Sequence, residues 1–89
     1  MTTMVTFQKV DLNFSKALRS VREKKGLSQG DVFRRSGVER TYISRIEQGL
    51  IVDPRISTVV ILARALDVSV DELVREAEAL AGEEPTSVK

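Results

Sequence analysis

The sequence predicts an all-α fold: one compact domain that forms a bundle of about five short helices. Apolar residues recur at helical spacing along most of the chain, and residues that favour helix starts precede the apolar segments. Four of the five predicted helices end at a glycine: Gly26, Gly37, Gly49 and Gly82. With 89 residues, the chain has room for a single small hydrophobic core.

The first helix is predicted to begin after Asn13, whose side chain can cap the first turn. It ends at Lys24-Lys25-Gly26, where the cations suit the negative end of the helix dipole. Its apolar face follows the spacing i, i+3, i+4 and i+7, and consists of Phe14, Ala17, Leu18 and Val21.

The second helix is short. Ser28 caps it, Asp31 supports its first turn, and Ser36-Gly37 ends it about two turns later. The third helix begins at residue 39 or 40 and ends at Gly49.

The last two helices follow a loop at residues 50 to 54, in which Pro54 suits the first turn of the fourth helix. The fourth helix covers about residues 56 to 66. A capping box at Ser69 and Glu72 opens the fifth helix, which runs up to Gly82.

The predicted domain covers residues 13–81. Residues 1–12 form an N-terminal arm, which we expect to be partly disordered, although a strand or a partner-binding arm also fits its pattern. Residues 82–89 are polar and are expected to form a disordered tail.

The composition excludes several function classes. The chain has no His and no Cys, which removes zinc fingers, cysteine nucleophiles and histidine bases. Its serines and lysines offer no evident base–nucleophile pair. We therefore predict no enzyme activity, no catalytic residue, no metal site and no cofactor.

The charge is unevenly distributed. Residues 9–64 carry 12 of the 14 Lys and Arg with only six acids, whereas residues 65–89 carry seven acids and two cations. A basic body suggests contact with a polyanion, although solvated helix surfaces produce similar sums. The N-terminus does not have the pattern of a signal peptide, and no apolar run could span a membrane, so we expect a cytoplasmic protein.

Residues 29–48 carry the main functional signal: a two-turn helix, a tight turn at Gly37 and a second helix of about ten residues. This is the geometry of a helix-turn-helix, whose second helix enters the DNA major groove. At 100° per residue, Ile43 and Ile46 lie on one side of that helix. The opposite side, which we call the outward face, consists of Thr41, Ser44, Arg45 and Gln48.

The chain resembles the phage repressor/Cro-like helix-turn-helix proteins, the XRE family, over about residues 18 to 73. The resemblance rests on several motifs in order: Leu18-x-x-Val-Arg22, Lys25-Gly-Leu-Ser-Gln29, Ser36-Gly-Val38, Tyr42-Ile-Ser-x-Ile-Glu47, Gly49, Pro54, Leu62-Ala-x-Ala-Leu66 and Val68-Ser-x-Asp-Glu-Leu73. The run Arg40-Thr-Tyr-Ile-Ser44 is also similar to the controller proteins of restriction–modification systems. The resemblance implies a lambda-repressor-like domain that regulates transcription by binding specific double-stranded DNA.

The resemblance also implies roles for individual residues. Arg40, Thr41 and Arg45 match positions that usually reach base edges, with phosphate contact as the alternative for both arginines. Gln29 matches a glutamine that binds phosphate or a base-contacting side chain, with a merely exposed first-turn residue as the alternative. Tyr42 and Ser44 match positions that more often bind the DNA backbone. Tyr42 could instead pack against the second helix.

Arg22 and Glu47 match a pair that joins the first helix to the third, and we assign them structural support. The alternative for Glu47 is a simple surface position.

Two departures from the family pattern concern packing. Gly30 replaces an acidic residue, and Phe33 replaces an alanine at an inter-helix contact, where it should displace the third helix or fill space elsewhere. The loop after Gly49 is one residue longer than usual and reads Leu50-Ile51-Val52, where the family tends to be polar or basic.

The fourth helix has more apolar residues than one small core can hide, which usually marks an interface. We therefore expect a homodimer through the fourth and fifth helices, reading a pseudo-palindrome. The alternatives are a monomer in which Phe33 and the N-terminal arm cover this surface, and an antitoxin-like interaction module with an unknown protein partner.

Overall fold

The computed structural model describes residues 13–83, without the side chains of residues 82 and 83, and confirms the all-α prediction. The predicted N-terminal arm and residues 84–89 of the predicted tail lie outside the described residues. Within the described part, the chain forms five helices: α1 (Phe14–Lys24), α2 (Gln29–Ser36), α3 (Arg40–Glu47), α4 (Ile56–Ala65) and α5 (Val70–Glu83). Helix α5 extends one residue beyond Gly82, where the sequence predicted its end.

Local hydrogen bonds explain why three of these helices begin where they do. Asn13 Oδ1 accepts a bond from the backbone N–H of Lys16 at 3.2 Å, which caps α1. Helix α2 has a complete capping box, in which Ser28 Oγ accepts from the Asp31 N–H and the Asp31 carboxylate accepts from the Ser28 N–H. Ser69 and Glu72 form the equivalent pair at α5. All three predicted caps are confirmed.

The core lies where the five helices meet. Helix α1 packs against α5 and α3, while α2 packs against α3 and α4, and α4 also contacts α5. Each helix contributes apolar side chains that are almost fully buried, including Leu18, Val32, Ile43, Ile46, Leu62, Leu66 and Leu73. Helix α3 is therefore held from two sides, by α1 and by α2.

Phe33 does not fill the inter-helix contact that the sequence predicted for it. Its side chain is 38% exposed, and the neighbouring Val32 supplies the fully buried contact of α2. Phe33 therefore does not occupy the inter-helix contact expected for it, and Val32 makes the buried contact instead. A one-residue step rotates the side chain by about 100° around the helix, enough to move it from the core to the surface.

The loop between α3 and α4 divides its apolar residues between the core and the surface. Ile51 packs against the core, whereas Leu50 and Val52 are exposed. Pro54 lies just outside α4, because Arg55 is the N-cap residue and the helix begins at Ile56.

Helix α4 buries one side and exposes apolar residues on the other, as its composition predicted. Leu62, Ala63 and Leu66 are buried, but Ile56 and Ile61 are exposed. This surplus of exposed aliphatic surface continues from the loop before the helix, where Val52 is 81% exposed.

Candidate nucleic-acid interface

Helices α2 and α3 form a helix-turn-helix unit. Gly37 ends α2 with φ +78°, a left-handed conformation that glycine adopts without a Cβ clash. Its N–H donates to the Phe33 carbonyl at 2.8 Å, and Ser36 Oγ accepts from the Val38 N–H at 2.9 Å. Val38 then packs against the core just before α3 begins, as a hydrophobic staple does.

The two sides of α3 have opposite character. Ile43 and Ile46 are fully buried and anchor the helix in the core. On the outward face, Thr41, Arg45 and Gln48 are exposed and Ser44 is half-buried. The outward face predicted from the sequence is therefore polar and accessible.

The other predicted residues of α3 flank the outward face. Arg40 is exposed at the first position of the helix, next to the N-cap residue Glu39. Tyr42 is half-buried and packs against the core, so its ring supports the fold while part of the side chain stays accessible.

Gln48 belongs to this surface, although neither the sequence pattern nor the family resemblance predicted a contact for it. Its Nε2 donates to Ser44 Oγ at 2.7 Å, which links two residues of the outward face one turn apart. The helical periodicity had placed Gln48 on this face, and that was the only signal for it in the sequence. The amide still carries an acceptor and a second N–H, the groups that read adenine edges.

Arg22 and Glu47 form a bidentate ion pair between α1 and α3. Arg22 Nε lies 2.8 Å from Glu47 Oε2, and Arg22 Nη2 lies 2.9 Å from Glu47 Oε1. The Glu47 side chain is only 4% exposed, so the alternative of a simple surface position is excluded. The hydrogen bonds from Arg22 to Glu47 raise the pKa of the guanidinium above its already high value. The predicted supporting pair is confirmed as a contact.

Gln29 lies in the same cluster. Its Nε2 donates to Glu47 Oε1 at 3.0 Å, so that this oxygen accepts from both Arg22 and Gln29. The structure thus places Gln29 at the start of α2 but turns one of its amide hydrogens towards the protein. The sequence offered no signal for this contact, since 18 residues separate the partners.

The basic residues of α1 and α2 have intramolecular partners. Lys24 pairs with Glu76, and Arg34 pairs with Asp31. Arg35 Nη1 donates to the carbonyl oxygen of Ala65 at 3.2 Å.

The arginines of α3 and of the loop after it differ in this respect from the basic residues of α1 and α2. Within residues 13–83, no ion pair or side-chain hydrogen bond engages Arg40, Arg45 or Arg55. These guanidinium groups therefore remain available to an external anion, which matches the chemistry of a DNA surface.

Two other kinds of site are not found in the described part of the chain. Residues 13–83 contain no group of three or more Asp and Glu side chains that could hold a metal ion. None of their helices is both long enough and apolar enough to cross a bilayer.

A family profile decides the assignment of this two-helix unit. The profile described as Helix-turn-helix matches residues 18–73, more than half of the chain, and this range includes α2, α3 and the Arg22–Glu47 pair. The chain belongs to this helix-turn-helix family. The resemblance to XRE-type proteins inferred from the sequence motifs is thereby confirmed.

Individual relatives of this helix-turn-helix protein agree with the assignment. An HTH-type transcriptional regulator of Sinorhizobium fredii, y4dL, is 36% identical over 58 residues, which are 65% of this chain. The matched region spans only 29% of the length of that relative.

Solved structures show the same fold. The restriction-modification controller protein C.AhdI from Aeromonas hydrophila has a TM-score of 0.65 and 35% identity, over 70% of this chain and 92% of its own. SinR, a master regulator for biofilm formation solved in complex with DNA, has a TM-score of 0.64 and 32% identity, over 67% of this chain and 95% of its own. The similarity to controller proteins suggested by the run at residues 40 to 44 is therefore found at the level of structure.

Proposed function

We propose that this helix-turn-helix protein regulates transcription by binding a specific pseudo-palindromic operator as a homodimer, with α3 in the major groove. The observation that carries the proposal is the division of α3 into a buried apolar side and a polar outward face with unpaired arginines. DNA binding and transcriptional regulation follow from the family and from its relatives; the homodimer, the operator and the residue roles are what the proposal adds.

Three residues of α3 are assigned to base edges. Arg40 and Arg45 can each donate two hydrogen bonds to guanine O6 and N7, and the methyl group of Thr41 can contact thymine. Exposure of all three side chains supports this assignment. Arg45 lies on the outward face itself, whereas Arg40 extends from the N-terminal end of α3, the end that contacts bases in this motif.

The remaining predicted contacts are assigned to the DNA backbone. Tyr42 and Ser44 carry hydroxyl groups that can bind phosphate oxygens, and Ser44 is linked to Gln48 on the outward face. Gln29 lies at the start of α2, where the first backbone N–H groups have no acceptor inside the helix and favour a phosphate.

The homodimer is proposed through α4 and α5, together with the loop before α4. Leu50, Val52, Ile56 and Ile61 are large exposed aliphatic residues in this region. A two-fold symmetric pair would bury this surface and place two copies of α3 about 34 Å apart, which is one turn of B-DNA.

Neither a catalytic role nor a bound cofactor is part of the proposal. The relatives are regulators, and the chain contains no histidine or cysteine. Operator binding would take place in the cytoplasm.

Selection of binding sites from a random pool of duplex DNA, at near-physiological salt, tests the proposal. We expect enrichment of a two-fold symmetric motif whose half-sites lie about one helical turn apart. No enrichment, combined with binding that disappears as salt rises, would reduce the DNA contact to the phosphate backbone and contradict the proposal. Copurification of a second protein would then favour the interaction module, whose candidate surfaces are the loop at residues 50–52, the acidic C-terminal part of the chain and residues 4–10, which lie outside the described residues.

A further inference from the structure

The side chain of Gln29 connects α2 and α3 at the ends of these helices that lie farthest from the turn at Gly37. Helices α2 and α3 are joined covalently at Gly37, between the last residue of α2 and the first of α3. Gln29 is the first residue of α2, and Glu47 is the last residue of α3. The bond between Gln29 Nε2 and Glu47 Oε1 therefore joins the two ends that lie farthest from the turn along each helix.

The bonds made by Arg22 do not provide this connection. Arg22 holds Glu47 to α1, and its Nη1 donates to the carbonyl oxygen of Leu27 at 2.8 Å, in the turn before α2. None of these three bonds reaches a residue of α2 itself. Gln29 therefore binds the start of α2 to the carboxylate of Glu47, which already joins α3 to α1 through Arg22.

The angle between α2 and α3 matters because base recognition depends on short distances. Helix α3 has eight residues, which corresponds to a length of about 12 Å. A rotation of about 5° around the turn would move the far end of α3, near Arg45, by about 1 Å, which is more than a hydrogen bond to a base edge tolerates. Arg40, beside the turn, would move much less. A connection at the open end restricts this rotation.

We propose that Gln29 is a positioning residue: by holding Glu47, it fixes the angle at which the outward face of α3 meets the bases. This role is additional to the phosphate contact assigned to Gln29, since the amide has two hydrogens and only one is donated to Glu47. The inference rests on the proposed function, because it concerns recognition of a specific operator.

The two roles predict different effects of Gln29→Ala. Loss of a phosphate contact weakens binding to every duplex by the same factor, because a phosphate contact carries no sequence information. Loss of positioning weakens binding to the preferred sequence only. We expect affinity for the selected duplex to fall about tenfold, the change associated with one hydrogen bond to a charged group. Affinity for a scrambled duplex of the same length should fall much less.

The measurement is the dissociation constant for the scrambled duplex divided by that for the selected duplex. This ratio is determined for the wild-type protein and for Gln29→Ala, and a site selection is carried out with each protein. We expect the ratio to fall and the variant to tolerate changes at several positions of the operator. As a matched control, Gln48→Ala removes the other glutamine amide of this unit and should relax at most one position. Equal weakening on both duplexes, or an unchanged ratio, would overturn the inference.

Glu47→Gln tests whether the effect acts through Glu47. This substitution keeps an acceptor oxygen but removes the charge, so the bond from Gln29 is weaker. We expect Gln29→Ala to lower the ratio less in the Glu47→Gln background than in the wild type, whereas fully additive effects would contradict the inference. Thermal unfolding of each variant verifies that it is folded at the temperature of the binding assay.

The outcome for the wild-type protein separates this inference from the proposed function. A wild-type protein that does not discriminate between the two duplexes contradicts the proposed function itself. A wild-type protein that discriminates, with an unchanged ratio in Gln29→Ala, contradicts only the positioning role.

Discussion

The hydroxyl group of Ser20 donates a hydrogen bond of 2.7 Å to Oε2 of Glu76, and this bond joins α1 to α5. Lys24 Nζ lies 3.1 Å from the same oxygen, one turn further along α1. The Ser20 hydroxyl, followed by the Lys24 ammonium, holds the pKa of the Glu76 carboxyl below its ordinary value. A polar connection therefore accompanies the apolar contact between the two helices that form one side of the domain.

This lowered pKa predicts a contribution to stability that depends on pH. Because the pKa of Glu76 is lower in the folded state, its carboxylate stabilises the fold above about pH 4.5, and the contribution disappears as the pH falls through the folded-state value. Glu76→Gln should lower the free energy of unfolding at pH 7 by about 1 kcal/mol and lose less stability than the wild type between pH 7 and pH 3. Urea unfolding at the two pH values measures this difference. Glu78→Gln, an exposed change on the same helix, is the control, and a parallel loss in both variants would contradict the assignment.

Arg45→Ala tests the assignment of a base contact. We expect it to weaken binding to the preferred sequence by about 1 to 3 kcal/mol and to relax specificity at one position, because a bidentate contact to guanine is lost. Titration of selected and singly altered duplexes measures both effects. Arg19→Ala, which removes an exposed arginine from α1, is the charge-matched control. Equal weakening on all sequences would instead identify Arg45 as a phosphate contact.

Gly30→Ala should stabilise the protein. A Cβ atom at this position would lie 3.5 Å from Arg34 Nη1 and 3.6 Å from Ser28 Oγ, both ordinary contact distances. Alanine also favours a helix over glycine, so we expect the free energy of unfolding to rise by about 0.5 to 1 kcal/mol. Gly37→Ala is the matched control, since its positive φ of +78° makes a side chain unfavourable there. Thermal unfolding should therefore shift in opposite directions for the two variants.

Val52→Ser and Ile56→Ser test the proposed dimer. Both side chains are highly exposed in the single chain, at 81% and 70%, so their loss should change the stability of the monomer by less than about 0.5 kcal/mol. If they are buried between two copies, the double variant should raise the dimer dissociation constant at least about tenfold. Sedimentation equilibrium measures this constant, and an unchanged profile would count against the interface.

Ile51→Ser should destabilise the fold, unlike Val52→Ser and Ile56→Ser. Ile51 and Val52 belong to the same apolar loop in the sequence, but Ile51 packs against the core. We expect this substitution to lower the free energy of unfolding by about 1 to 3 kcal/mol, because it places a hydroxyl where an apolar side chain was half-buried. Urea unfolding distinguishes it from Val52→Ser.

Features that depend on neighbouring residues were predictable from the sequence. Asn13, Ser28 and Ser69 marked helix starts correctly, because a cap is formed by residues within about one turn of each other. The buried side of α3 followed from the helical period of Ile43 and Ile46 for the same reason.

Features that depend on packing between elements were less predictable. Phe33 was assigned to an inter-helix contact by analogy, but the orientation of α2 leaves it partly at the surface. The link between Gln29 and Glu47 requires the relative placement of two helices, which no local pattern encodes. The Arg22–Glu47 pair was found only because the family resemblance supplied it.

The separation of the two sides of α3 also bears on how such a protein can diverge. Ile43, Ile46 and Glu47 hold the helix in place, and none of them belongs to the outward face. Substitutions on the outward face therefore change stability little, whereas they change the groups presented to DNA. Duplicated copies of this chain could thus acquire new target sequences by single steps, each of which leaves a folded protein. The same property makes the outward face the natural place to redirect the protein to a chosen sequence in the laboratory.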